Sequence, residues 1–315
     1  MKKYGRFLCL LMLVSVTLTA CNRTVEKVDG AKLQLITTLF PLYDFARVIG
    51  GSRVQVHLLL PPGVEPHGFD PRPEDIVRIS KASLFVYTSP DMEPWAAKLL
   101  AGTVAGTVAT VAAGAQSRYL QMTGSEAGHE HGHDHERRSG RDPHVWLDLG
   151  NAGLMVDAIT DGLVRKDPAS SAYYQGNAAT LKGELQELDL KFRQGLAACR
   201  TKEFVSGGHY AFAYLANRYG LSYSSAYGIS ADTEPPAKTL IQLVEQLKSK
   251  QIHYLFSEEL LSPRVSETIA KEAGVKLLPL HGLHNISRDE LAQGVTFISL
   301  MEKNLLNLRT GLECQ

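Results

Sequence analysis

Residues 168–198 read PASSAYYQGNAATLKGELQELDLKFRQGLAA. Apolar side chains at Leu181, Leu185, Leu188, Leu190, Phe192 and Leu196 recur among Glu, Lys, Gln and Arg, the spacing of one long amphipathic helix. Pro168 suits its first turn, where a missing N–H costs no helical hydrogen bond. Roughly thirty residues at 1.5 Å each make a rod of about 45 Å. The apolar heptads are too few for a coiled-coil partner helix. Residues 151–166 are helical in pattern too, and only Asp167-Pro168 breaks the run. A rod this long runs the length of two domains and limits how far they can hinge.

On either side of the rod, short β-rich runs alternate with helix-sized segments. Leu33–Thr38, Val54–Leu60, Leu84–Thr88 and Thr107–Ala112 read as strands before it. Phe204–Ser206, Leu221–Ser225, Ile252–Ser257 and Val275–Leu280 read as strands after it. The runs show little polar alternation, and segments such as Pro236–Lys250 have helical length. That combination argues for parallel sheets covered on both faces. The fold class is therefore α/β: two small parallel-sheet α/β lobes joined by a long backbone helix. The expected boundaries are an N-terminal lobe over 32–167, the linking helix over 168–199 and a C-terminal lobe over 200–315.

Lys2, Lys3 and Arg6 precede an apolar run, Leu8–Val16, that ends in Leu18-Thr-Ala-Cys21. That order predicts a secretory signal over 1–20 and a tether over 21–31. About a dozen apolar residues are too few for a comfortable membrane span. The ending resembles the lipobox of bacterial lipoproteins, which implies lipidation of Cys21 and a chain held to the membrane outside the cytoplasm. Cys199 and Cys314 remain in the mature chain, where an oxidising compartment permits a disulfide between them without requiring one. The 33 basic residues balance 33 acidic ones with no basic stripe, which argues against nucleic acid as a partner. A monomer is expected.

Histidines carry the chemistry. His67 lies in Leu60-Pro-Pro-Gly-Val-Glu-Pro-His-Gly-Phe-Asp70, a loop stiffened by proline directly after a strand. His144 lies in Asp142-Pro-His-Val-Trp-Leu-Asp148, where Asp142 or Asp148 can orient the imidazole and Trp146 suits an interface between domains. His209 follows Phe204-Val-Ser-Gly-Gly at another strand end, and His281 follows Val275–Leu280. Open α/β sheets bind ligands beyond the carboxyl ends of their strands. Neutral imidazole is the commonest protein ligand for first-row metals, so these positions point to metal binding. His57 and His253 fall inside strands and read as sheet residues. His129, His131, His133 and His135 form a low-complexity tract in a loop over about 124–141, suited to weak, reversible metal binding.

The lipobox, the Pro-His loop at His67, Asp-Pro-His-Val-Trp-Leu-Asp at His144 and Gly-His-Tyr-Ala-Phe at His209 together resemble one family. So do Ile229-Ser-Ala-Asp-Thr-Glu-Pro-Pro-Ala and Phe297-Ile-Ser-Leu-Met-Glu-Lys-Asn-Leu. The chain is similar to the metal-binding solute-binding lipoproteins of bacterial ABC importers for zinc and manganese, and most to the zinc-uptake members. The resemblance implies one metal ion in the interlobe cleft, with His67, His144 and His209 as ligands. It also implies an ABC permease with its ATPase as partner.

Family members commonly place an Asp where this chain has His281 in Leu280-His-Gly-Leu-His-Asn285, so His281 is the expected fourth ligand. His284, Glu258 and Glu259 are the alternatives, as is water. Nitrogen donors favour Zn²⁺ over manganese, which prefers carboxylate oxygen. Manganese or another divalent ion is the alternative cargo, and a surface adhesin or metal store the alternative role. A zinc hydrolase is disfavoured because no His-Glu-x-x-His motif is present.

Overall fold

The computed structural model describes residues 32–102, 104–121, 140–231 and 233–315. Cys21, the signal segment and His129, His131, His133 and His135 lie outside the described residues. In the first lobe β1 (Leu33–Thr37), α1 (Phe40–Gly50), β2 (Val54–Leu58), α2 (Pro73–Ser80), β3 (Leu84–Tyr87), α3 (Pro94–Ala101) and β4 (Ala109–Ala112) alternate. All pairings are parallel, in the order β2-β1-β3-β4. Consecutive residues such as Leu35 and Ile36, or Phe85 and Val86, are both buried, so the sheet is covered on both faces. That double burial is why these runs lack polar alternation.

A helix α4 (Leu149–Lys166) leads into the rod, and the second lobe repeats the scheme. Its elements are β5 (Glu203–Ser206), α6 (Ala213–Tyr219), β6 (Ser222–Ser225), α7 (Ala237–Ser249), β7 (Tyr254–Ser257), α8 (Arg264–Ala273) and β8 (Lys276–Pro279), then α9 (Arg288–Gln293) and α10 (Phe297–Gly311). The strands are again parallel, in the order β6-β5-β7-β8. In both sheets the order reverses direction next to the first strand, which opens a crevice at the carboxyl ends of the central pair.

The rod, which opens with a 3₁₀ turn at Pro168–Ser170, is helix α5 (Ser171–Gly195). At 1.5 Å per residue it is about 37 Å long. Tyr174, Ala178, Leu181, Leu185, Leu188 and Phe192 form its buried stripe, spaced by three or four residues throughout. Leu190 sits off that stripe and is 56 % exposed, so it belongs to the solvent face and not to the apolar set. The stripe joins a continuous core that runs from Leu35, Phe45 and Val86 in the first lobe to Phe204, Phe256 and Leu308 in the second. Helix α10 packs on the rod and returns to α1: the rings of Phe45 and Phe297 stand 4.9 Å apart, and the Phe297 N–H donates to Asp44 Oδ2 at 2.8 Å.

Two further ties fix the rod. Arg218 on α6 holds Asp189 on the rod through two hydrogen bonds of 2.7 and 2.9 Å, and reaches Asp148, the N-cap of α4, at 2.8 Å. Cys199, just beyond the rod, is disulfide-bonded to Cys314 near the chain end. Gln121 and Arg141 pair as an antiparallel bridge across the segment that contains the histidine tract.

Candidate metal centre

The loop after β2 presents His67. Pro61, Pro62 and Pro66 restrict its backbone. Glu65 Oε2 accepts from the N–H groups of His67 and Gly68 at 2.8 and 3.2 Å, which sets the ring at the loop tip. A 3₁₀ turn at Val145–Leu147 presents His144, with Trp146 fully buried behind it. Two glycines separate β5 from His209. A Cβ on Gly207 would lie 2.3 Å from Ser266 Oγ, and one on Gly208 would lie 2.5 Å from Glu258 Oε2. Only glycine lets the backbone pass there, which explains Gly-Gly before this histidine. Glu258 follows β7, the strand adjacent to β5, so the pair sits at the crevice of the second sheet.

Three imidazoles converge by their Nε2 atoms. His144 Nε2 stands 3.1 Å from His67 Nε2 and 3.1 Å from His209 Nε2. His144 and His209 are 0 % and 1 % exposed. The opposite edges of these two rings are occupied by carboxylates: His144 Nδ1 lies 2.8 Å from Asp142 Oδ1, and His209 Nδ1 lies 2.7 Å from Glu258 Oε2. A carboxylate only accepts, so each Nδ1 carries the proton and each neutral ring turns an Nε2 lone pair toward the common centre. Lone pairs 3.1 Å apart repel unless a cation lies between them. Ligands 2.0–2.1 Å from a tetrahedral zinc are about 3.3–3.4 Å from one another, close to the separations here.

The electrostatics fit that purpose. Burial holds the His144 proton affinity well below the ordinary imidazole range, and neighbouring His209 pushes the same way. Burial also acts downward on His209, but Glu258, helped by Glu65 and Glu259, outweighs it and raises its pKa. Burial alone would raise Glu258, yet His209 and then His284 hold it low. Further side chains lock the backbone: Tyr214 Oη donates to the Asp142 carbonyl at 2.7 Å, and Tyr223 Oη donates to the His209 carbonyl at 2.8 Å.

The family model described as zinc-uptake complex component A, periplasmic (ZnuA) matches residues 35–311. The chain belongs to this family. It is 37 % identical over 309 residues to the zinc-binding lipoprotein AdcA of Streptococcus pneumoniae R6, covering 98 % of this chain and 61 % of that protein. It is 38 % identical over 283 residues to the high-affinity zinc uptake system protein ZnuA of Bacillus subtilis 168, covering 90 % of this chain and 88 % of that one. The Zn(II)-bound ZnuA-like domain of S. pneumoniae AdcA superimposes with a TM-score of 0.76 at 35 % identity, covering 90 % of this chain and all of that domain. The chain thus spans about three fifths of the length of the AdcA relative and all of its ZnuA-like domain.

Within the cluster the sequence-derived residues separate. His67, His144 and His209 form one potential metal-holding group, and His209, Glu258 and His284 form a second that shares one member. His281, the expected fourth ligand, is in neither group. Its Nδ1 lies 2.9 Å from Glu259 Oε1 and its Nε2 lies 3.6 Å from Glu290 Oε1. Burial lowers its pKa, but Glu259 and Glu290 more than offset that and lift it to about 9. The local backbone explains the divergence. Leu283 adopts a left-handed φ of 59°, and Trp146 Nε1 donates to the Gly282 carbonyl at 2.9 Å. This tight turn sends His281 to the acidic pair and returns His284 toward His209, ring centroids 5.4 Å apart.

His284 Nδ1 and Glu258 Oε1 are buried without a hydrogen-bond partner, and Glu258 Oε1 is 3.7 Å from His284 Nε2. Asp142 orients His144, whereas Asp148 caps α4 and pairs with Arg218. The partners Tyr214, Tyr223 and Asn285 carry no local sequence signal, because each acts across the fold.

Proposed function

We propose that this chain is the extracytoplasmic, high-affinity zinc-binding component of an ABC metal importer. It captures Zn²⁺ between its lobes and hands it to a membrane permease coupled to an ATPase. The convergence of His67, His144 and His209 by Nε2, with two rings fixed from behind by Asp142 and Glu258, carries this reading. Imidazole nitrogen favours zinc over manganese, and carboxylate-backed histidines are the usual arrangement around zinc. We assign the fourth side of the ion to His284 and not to His281, because only His284 shares a group with His209. Capture and release need no bond-making step, and no catalytic residue is assigned.

Membership of a periplasmic zinc-uptake family and likeness to zinc-binding lipoproteins support the location and the lipid tether at Cys21. Among the described residues no helix is long and apolar enough to cross a membrane. Zinc titration of the full chain by calorimetry tests the reading. One tight Zn²⁺ per chain, lost in His144→Ala and retained when residues 122–139 are deleted, is the expected result. Tight binding that disappears with residues 122–139 and survives His144→Ala would transfer the function to the histidine tract and leave a metal-storing or adhesive lipoprotein.

A further inference from the structure

His67 differs from the other converging histidines in burial and in the loop that carries it. His144 and His209 are buried, whereas His67 is half-buried on a loop tip. That loop belongs to the first lobe, yet its base is fastened to the second. Asn285, 0 % exposed, donates both of its amide hydrogens across the cleft, to the carbonyls of Pro61 and Val64 at 2.8 Å each. Its Oδ1 accepts the Ile286 N–H at 2.9 Å, so every donor and one acceptor position of the side chain is in use. The Gly63 N–H adds a bond to the Ile286 carbonyl at 2.9 Å. Val64 N–H closes a turn onto the Pro61 carbonyl at 3.1 Å, and Glu65 next along the chain caps the His67 and Gly68 amides.

Asn285 is also the residue after His284, whose carbonyl accepts from the Phe40 N–H at 3.2 Å at the start of α1. One side chain therefore couples the loop of a first-lobe histidine to the loop of a second-lobe histidine.

The geometry points to Asn285 as a positioning residue for zinc: it joins the His67 loop to the His284 loop, so that the spacing of ligands from opposite lobes is set by its two amide hydrogens. The inference rests on the zinc-binding reading above. Asn285 touches no metal and acts through His67. Partners that orient a ligand from behind typically change metal affinity by about 10–100-fold when removed.

The test is a double-mutant cycle on the full chain, with zinc affinity measured by competition against a chelator. Asn285→Asp preserves shape and the Oδ1 acceptor but removes both donors, and Asn285→Ala removes the side chain. Each is made in the natural background and with His67→Ala. The expected result is at least a tenfold rise in zinc Kd and faster zinc release in the natural background, with no further rise once His67 is absent. An equal loss in both backgrounds would show that Asn285 does not act through His67 and would overturn the inference. So would an unchanged Kd in the natural background, or failure of both variants to fold by circular dichroism. The underlying reading is separately checked by His144→Ala: if that variant binds zinc normally, the cleft is not the site, whatever Asn285 does.

Discussion

At the scale of single residues, the centre depends on which nitrogen of each ring faces the ion. Asp142 holds the His144 Nδ1 proton at 2.8 Å and also accepts the His144 N–H at 2.9 Å. Asp142→Ala frees the ring to rotate and to change tautomer, so zinc affinity should fall by about 10–100-fold with the overall fold retained. Competition titration alongside circular dichroism measures both. Protons compete with zinc for imidazole, so affinity should fall as pH drops through the histidine range. The sign differs between ligands. The lowered proton affinity of His144 keeps its lone pair available to more acidic pH, whereas the raised pKa of His209 makes its Nε2 the nitrogen for which protons compete more strongly as pH falls. Competition titrations between about pH 5 and 8 should show zinc affinity falling toward acid, and an affinity that stayed constant over that range would contradict imidazole ligation.

Residues at strand ends were legible because Gly-Gly-His and Pro-His follow apolar runs. The choice between His281 and His284 was not. The two rings point apart because of the left-handed backbone of Leu283 and the indole of Trp146, which arrives from 136 positions away in sequence.

At the scale of elements, the rod was legible from periodicity alone. Its burial stripe repeats every three or four residues, and only Leu190 misled, because an apolar side chain on a solvent face looks the same in sequence. What locks the rod was hidden. Arg218, Asp189 and Asp148 lie on three separate helical segments, and their charges look like ordinary surface residues in the linear chain. The Arg218 and Asp189 side chains are under one-fifth exposed, so the pair is neither a screened surface bridge nor a fully buried one. Arg218→Ala should lower stability by about 2 kcal/mol, between those two limits.

Burial would raise the Asp189 carboxyl, but Arg218, Tyr219 and Arg193 hold it below its ordinary value. A depressed carboxylate stabilises the fold above the unfolded pKa and loses that contribution as pH falls through the folded one. The difference in melting temperature between Arg218→Ala and the parent should therefore narrow below about pH 4. A difference that widened on acidification would contradict the ion-pair account.

At the scale of the whole molecule, the two sheets share one apolar core through the rod and α10. The division into lobes was visible in the alternation of strands and helices, but this continuity was not, since it rests on contacts such as Phe45 against Phe297. Phe297 is fully buried, and Phe297→Ala should cost about 3–5 kcal/mol. The loss should appear as a shift of a single denaturant transition without an intermediate plateau, because the lobes share their interior. Zinc, binding only the native state, should raise the melting temperature of parent and variant alike by mass action.

The Gln121–Arg141 bridge closes the base of the segment that carries the histidine tract, one residue before Asp142. Deletion of residues 122–139 should leave the melting temperature of the chain unchanged, because the Gln121–Arg141 pairing joins the two ends of that segment. That pairing ends one residue before the carboxylate that orients His144, so whatever pulls on the segment is felt first at the backbone of a proposed zinc ligand.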